Sequence, residues 1–274
     1  MRERAFGCSI FRIMSEEENN SNRQVISLQS ISRQFLSALQ RQYDLLAFNL
    51  AASQHVSEEN YNTFSTMTRV MPVAPMHMPF EGMKTYVRGL ILRQTLNDLL
   101  GIAAACMDSC HLLCTLIANK EAMDKDPKAT NELVGRKQQA FVNSSVPDKF
   151  EAFEKEFGIT NSLEDAVVAL GIALGSLMRR NGVVTAEDVD DDGELAFEFK
   201  TVQTIQPLKP EDKPEVRLAD TRRAFKVGDT IDLTNSELLS LNVTVADFFH
   251  KLFRAVDAFG EKTLGKGSAP HAEN

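Results

Sequence analysis

One long apolar helix, expected from about Pro79 to Lys120, constrains this chain more than any other feature. Leu92, Leu96, Leu99, Leu100, Ala103, Cys106, Met107, Cys110, Leu113, Cys114 and Ile117 recur at spacings of three and four, the period of a helix face. Gln94, Asn97, Asp98, Asp108 and Thr115 fall largely elsewhere. A straight helix of that length runs about 60 Å at about 1.5 Å per residue. The fold expected from it is mostly α, a multi-helix bundle around this central element. Gly82, Gly89 and Gly101 are places where it could bend or admit a close neighbour.

The flanking sequence supplies further helices. Leu28, Phe35, Leu39, Tyr43, Leu46 and Leu50 form a stripe predicting a helix over Val25 to Gln54. Ser57, Glu58 and Glu59 open a short helix ending near Arg69. Met71 to Pro79 holds three prolines, which predicts an extended connector. After a break at Asp126-Pro127, shorter polar helices are expected over Ala129 to Val142 and Pro147 to Phe157, the second closed by Gly158. Ser162 with Asp165 is expected to cap a helix carrying Leu163, Val167, Leu170, Leu174 and Leu177, ended by Asn181-Gly182. Alternating Leu195, Phe197 and Phe199 then read as strand, and Val216 to Leu233 as further strand turning at Gly228-Asp229. This small β insertion, about residues 194–233, precedes a last helix that opens with the capping-box pair Thr234 and Glu237. The expected organisation is a tail over 1–24, a single helical domain over 25–262 and a second tail over 263–274.

Composition narrows the class. A 43% hydrophobic and 25% charged chain of 274 residues can bury a sizeable core. A net charge of -8 argues against broad contact with a phosphate backbone, which needs clustered excess Lys and Arg. Gly101 to Ile117, the best apolar run, is interrupted by Asp108 and His111, so no membrane span is expected. Residues Ala5 to Ile13 lack the continuous apolar core of a secretory signal, and Met14 offers a plainer start. Four cysteines, three on one helix, do not make a disulfide framework, and a reducing cytosol is their expected home.

Few clusters suggest chemistry. Cys106, Cys110 and Cys114 stack on one helix face, with the outer pair about 12 Å apart. A tetrahedral zinc could take two of these thiols but not three, and their register with Met107 and Leu113 predicts core packing. Asp188, Asp190 and Asp192 with Gly193 alternate as calcium ligands do, oxygens converging on a hard cation before a sharp turn. This stretch resembles the first half of an EF-hand loop, which would imply a bound Ca2+; the twelfth position, where a bidentate Glu belongs, is Phe199, and an acidic solvated turn is the expected reading. Met76-His77-Met78 offers soft ligands suited to copper. Arg88 and Arg93 lie in an otherwise apolar helix near Asn97 and Asp98. The four are expected as a polar cluster, with the arginines held in buried salt bridges.

No nucleophile elbow, zincin motif, dinucleotide fingerprint or phosphate-binding loop is present in the sequence. The expected function is therefore a non-enzymatic protein-protein interaction or scaffold role, with a protein partner or self-association as in a homodimer. That role predicts exposed apolar surface on the first or central helix. The long helices with early arginines also loosely resemble the HEPN family, helical bundles that often act on RNA. The resemblance implies nucleic-acid chemistry, although no histidine follows an arginine at that family's spacing of four to six intervening residues.

Overall fold

The structure, a computed structural model, describes residues 10–12, 25–67, 78–205 and 215–265. Among these the protein is mostly α, with eight helices and two small antiparallel sheets. The chain divides into two compact units. One comprises residues 1–39, 100–168 and 244–274, the other 40–99 and 169–243. No linker marks the division, because four helices contribute residues to both.

The first of these, α1, spans Leu28–His55, three residues later than its apolar stripe predicts. Val25–Ser27 instead form strand β2, paired with β1 at Ile10–Arg12. β-Branched Val25 and Ile26 suit a strand, and Ser27 stops it: its hydroxyl accepts the Ser30 N–H at 3.1 Å, an N-cap geometry. Helix α2 (Glu58–Met67) starts behind Ser57, whose hydroxyl accepts the Asn60 N–H at 3.1 Å. The proline connector falls mostly on residues 68–77, outside the described residues.

The long helix is α3, Phe80–Ala118, within two residues of its expected ends. Leu96, Leu99, Ala103, Cys106, Met107, Cys110, Leu113 and Cys114 are all buried. An 18-residue window reaches a mean hydropathy of 1.7, so the helix is long and apolar enough to cross a membrane by length and composition. Flanking Leu, Ile, Ala and Cys outweigh the two polar interruptions in that average. Of the window, 56% is buried within the protein, as in the core helix of a folded domain.

In the unit holding residues 100–168, short helices pack by well-defined caps. After α4 (Lys120–Lys125), Asp126 accepts the Ala129 N–H at 3.1 Å and Pro127 occupies the first turn of α5 (Pro127–Val142). The expected break is thus a helix start. Ser145 and Asp148 form a capping box on α6 (Val146–Phe157), and Gly158 ends it at φ 65°, where a side chain would be strained. Helix α7, Glu164–Arg180, begins on Asn161 instead of Ser162. The Asn161 side chain accepts the Leu163 N–H at 3.0 Å and donates to the Phe248 carbonyl at 3.2 Å. Ser162 faces outward and accepts from Lys251 at 3.0 Å.

In the other unit, β3 (Glu194–Ile205) and β4 (Glu215–Lys226) form the expected hairpin, with Leu195 opposite Phe225 and Phe197 opposite Arg223. Leu195, Phe197, Phe199 and Phe225 are buried while the opposed pair Glu198 and Arg222 is exposed, so the sheet has one wet and one dry face. Each buried Phe contributes about 1.5–3 kcal/mol of transfer free energy. Helix α8 (Asn235–Gly265) starts with the predicted box: Thr234 N–H donates to Glu237 at 2.7 Å and Glu237 N–H to the Thr234 hydroxyl at 3.2 Å. Residues 266–274 lie outside the described residues.

Candidate functional site

The first turns of α3, with the segments following α7 and β4, line a cleft of about 760 Å3. Leu92, Leu177 and Ile231 are its buried apolar lining; Lys84, Arg88 and Arg93 bring positive charge, Glu81 and Asp232 negative charge, and Tyr86 an aromatic ring. A second cavity of about 470 Å3 is lined by Val56, Tyr61, Phe80, Met83 and Val87. Lys84 and Arg88 line both. A concave, mainly apolar site with a few polar groups is the usual form of a ligand pocket.

The expected polar cluster of Arg88, Arg93, Asn97 and Asp98 does not assemble. Arg88, half-buried, donates through Nη1 to the Asn235 side chain and through Nη2 to the Leu233 carbonyl. Arg93 lies with its guanidinium 6.0 Å from the ring centroid of Tyr86, two turns earlier. Helical side chains lean towards the N-terminus, which takes Arg93 away from Asn97. Asp98 instead accepts from Gln94 at 2.7 Å, and Asn97 is exposed. The buried salt bridges expected for the two arginines are absent too. Among the described residues neither forms an ion pair, and the acceptors of Arg88 are neutral.

The aspartates at 188–192 have separate tasks. Asp188, only 3% exposed, turns inward and pairs with Arg180. It also accepts from the Thr185 N–H at 2.8 Å and hydroxyl at 2.9 Å. Burial raises its pKa, but those hydrogen bonds and the Arg180 charge outweigh that and hold the carboxyl below its ordinary value. Asp190 accepts the N–H groups of Asp192 and Glu194, each at 3.0 Å, closing the turn at Gly193. Asp192 is exposed. The three candidate calcium ligands are not brought together, and no group of three metal-ligating side chains converges among the described residues. Backbone N–H groups and Arg180 take the oxygens that an ion would need.

Cys106, Cys110 and Cys114 are free and fully buried in the α3 packing stripe. A hydrogen bond with Cys106 and burial raise Cys110, and burial raises Cys114, so both surroundings favour the neutral thiol. His111 is 1% exposed and stacked on Phe141 at 3.8 Å, with Phe153 and Phe157 edge-on. Its Nδ1 meets Gln138 at 3.1 Å, and its Nε2 lies 4.0 Å from the Glu156 carboxylate without a hydrogen bond. His111 is thus walled in by aromatic rings, while His250 is exposed on α8. Met76 and His77 lie outside the described residues.

A third feature went unread in the sequence. Beyond its buried stripe, α1 exposes Leu45 and Phe48, the latter by 70%, followed by Val56; on α2, Phe64 is 73% exposed. Leu45, Phe48 and Ala52, spaced three and four apart, share an arc of about 60° at about 100° per residue. The stripe of Leu39, Leu46 and Leu50 hid this second one, because both have helical period.

No protein-family model, curated protein or solved structure matches the chain.

Proposed function

We propose that this chain is a non-enzymatic interaction protein whose partner is a second copy of itself, joined through the exposed stripe of α1. One observation carries this reading: Leu45 and Phe48, with Ala52 beside them, stand in water at helical spacing on one face of α1. Exposed apolar side chains grouped in this way are typical of interaction surfaces.

The spacing favours a second copy over an unrelated partner. A three-four repeat of apolar residues is the period by which helices pair, and a two-fold axis brings the same patch against itself. Arg41 falls on the same arc as Leu45, Phe48 and Ala52, but a single cation is too few to hold a phosphate backbone. Each copy carries a net charge of -8, so apolar contact must overcome mutual repulsion. The cytosol is the compartment we assign, on the ground that free cysteines persist in reducing surroundings.

Sedimentation equilibrium over a dilution series tests the reading. A dimer that dissociates on dilution, and that tightens as added salt screens the repulsion, is expected. A monomer at every concentration and salt refutes it.

A further inference from the structure

We infer that the cavity between the end of α1, α2 and the start of α3 is a binding site for an amphipathic anion, a medium-chain carboxylate with its head at Lys84. Its volume of about 470 Å3 lies within the range of small-molecule sites, roughly 300–1,000 Å3.

The wall is apolar because its polar atoms are already engaged. Tyr61 donates its hydroxyl to the Met78 carbonyl at 2.8 Å, which fixes its ring 6.0 Å from that of Phe80. Ser53 donates its hydroxyl to the Leu50 carbonyl at 2.8 Å. Hydrocarbon from Val56, Met83 and Val87 completes the lining. An apolar chain entering here gives up water for carbon on several sides.

The head end is positive. Arg88 lies half-buried and donates to the neutral Asn235 side chain and Leu233 carbonyl, and among the described residues it forms no ion pair. A cation in that position attracts an anion more strongly than it would in open water. Lys84 pairs with Glu81 at 3.2 Å, but both are largely exposed, so that pair contributes little and exchanges readily for a ligand carboxylate. Asn235 spends its carbonyl oxygen on Arg88, which leaves its amide N–H groups for another acceptor. Lys84 and Arg88 also line the larger cleft, so a head at this junction has room to extend outward. A neutral hydrocarbon would leave these donors unused, and a small anion would leave the apolar wall wet. The combination selects a molecule with both parts.

Calorimetric titration of the full chain with sodium decanoate, below its micelle concentration, tests this assignment. Decanoate is expected to bind and to raise the melting temperature, with sodium acetate and 1-decanol binding at least roughly tenfold more weakly. Lys84→Met should weaken decanoate roughly tenfold, the loss of one charge-assisted hydrogen bond. Met83→Trp should fill the cavity and abolish binding. Circular dichroism identifies any variant that fails to fold, and Met83→Phe then replaces Met83→Trp. No binding of decanoate to the wild-type chain overturns the proposal. So does 1-decanol binding as tightly as decanoate, or unchanged binding in both folded variants.

Discussion

Arg88 donates to the carbonyl of Leu233, 145 residues further along the chain, and so ties the start of α3 to the turn that opens α8. The same guanidinium holds Asn235, the first residue of α8. Replacing it by Met keeps the stem and removes the donors. Arg88→Met is expected to cost about 2 kcal/mol, since hydrogen bonds from charged donors contribute about 1.5–3 kcal/mol each and the site is only half-buried. Urea denaturation reads that loss as a lower midpoint with an unchanged slope.

Asp188 compensates Arg180 from a buried position. Asp188→Asn retains the shape and removes the charge, leaving Arg180 to Glu187, whose carboxylate is 3.9 Å away and largely exposed. A loss of about 2–4 kcal/mol is expected, below the figure for a fully buried pair because Arg180 is 24% exposed. The carboxyl has a lowered pKa in the folded state, so its contribution is present above the ordinary Asp pKa and disappears as the pH falls through the folded value. Thermal melts of wild type and Asp188→Asn should therefore converge in acid. With the oxygens of Asp188 and Asp190 already bonded, millimolar calcium is expected to leave the wild-type melt where it is.

Lys149 is 3% exposed, with its ammonium 2.7 Å from Asp108 and 4.4 Å from the Phe141 ring centroid. It also donates to the carbonyls of Phe141 and Val142. Lys149→Ala leaves a cavity, two carbonyls without this donor and a carboxylate without its cation. A loss of about 3–5 kcal/mol is expected in chemical denaturation.

Burial lowers the pKa of His111, against smaller opposing effects of Gln138 and Glu156. The unfolded chain then binds a proton at a higher pH than the folded one. Stability is complete above the unfolded His pKa, about 6.5, and falls as the pH drops towards the folded value. His111→Gln should flatten the stability profile below about pH 6.5; an unchanged slope would show that His111 carries none of it.

The fold was legible where one pattern dominated. The stripe of α3, the alternation of Leu195, Phe197 and Phe199, and the Thr234–Glu237 box each have a single structural solution, and each was observed. Side-chain partners were not legible. Arg93 could not be assigned to Tyr86, nor Arg88 to Leu233, because one partner depends on rotamer direction and the other lies far along the chain. The aspartate run was ambiguous for a related reason: spacing gives the order of carboxylates but not that Arg180 claims the first. Leu45 and Phe48 were hidden by a neighbouring stripe of the same period.

Light scattering on wild type and Phe48→Glu tests the proposed self-association most directly. The account predicts that wild type elutes at twice the 30.5 kDa chain mass and the variant at the chain mass, with equal helix content. A wild-type monomer, or a variant that remains dimeric, would contradict it.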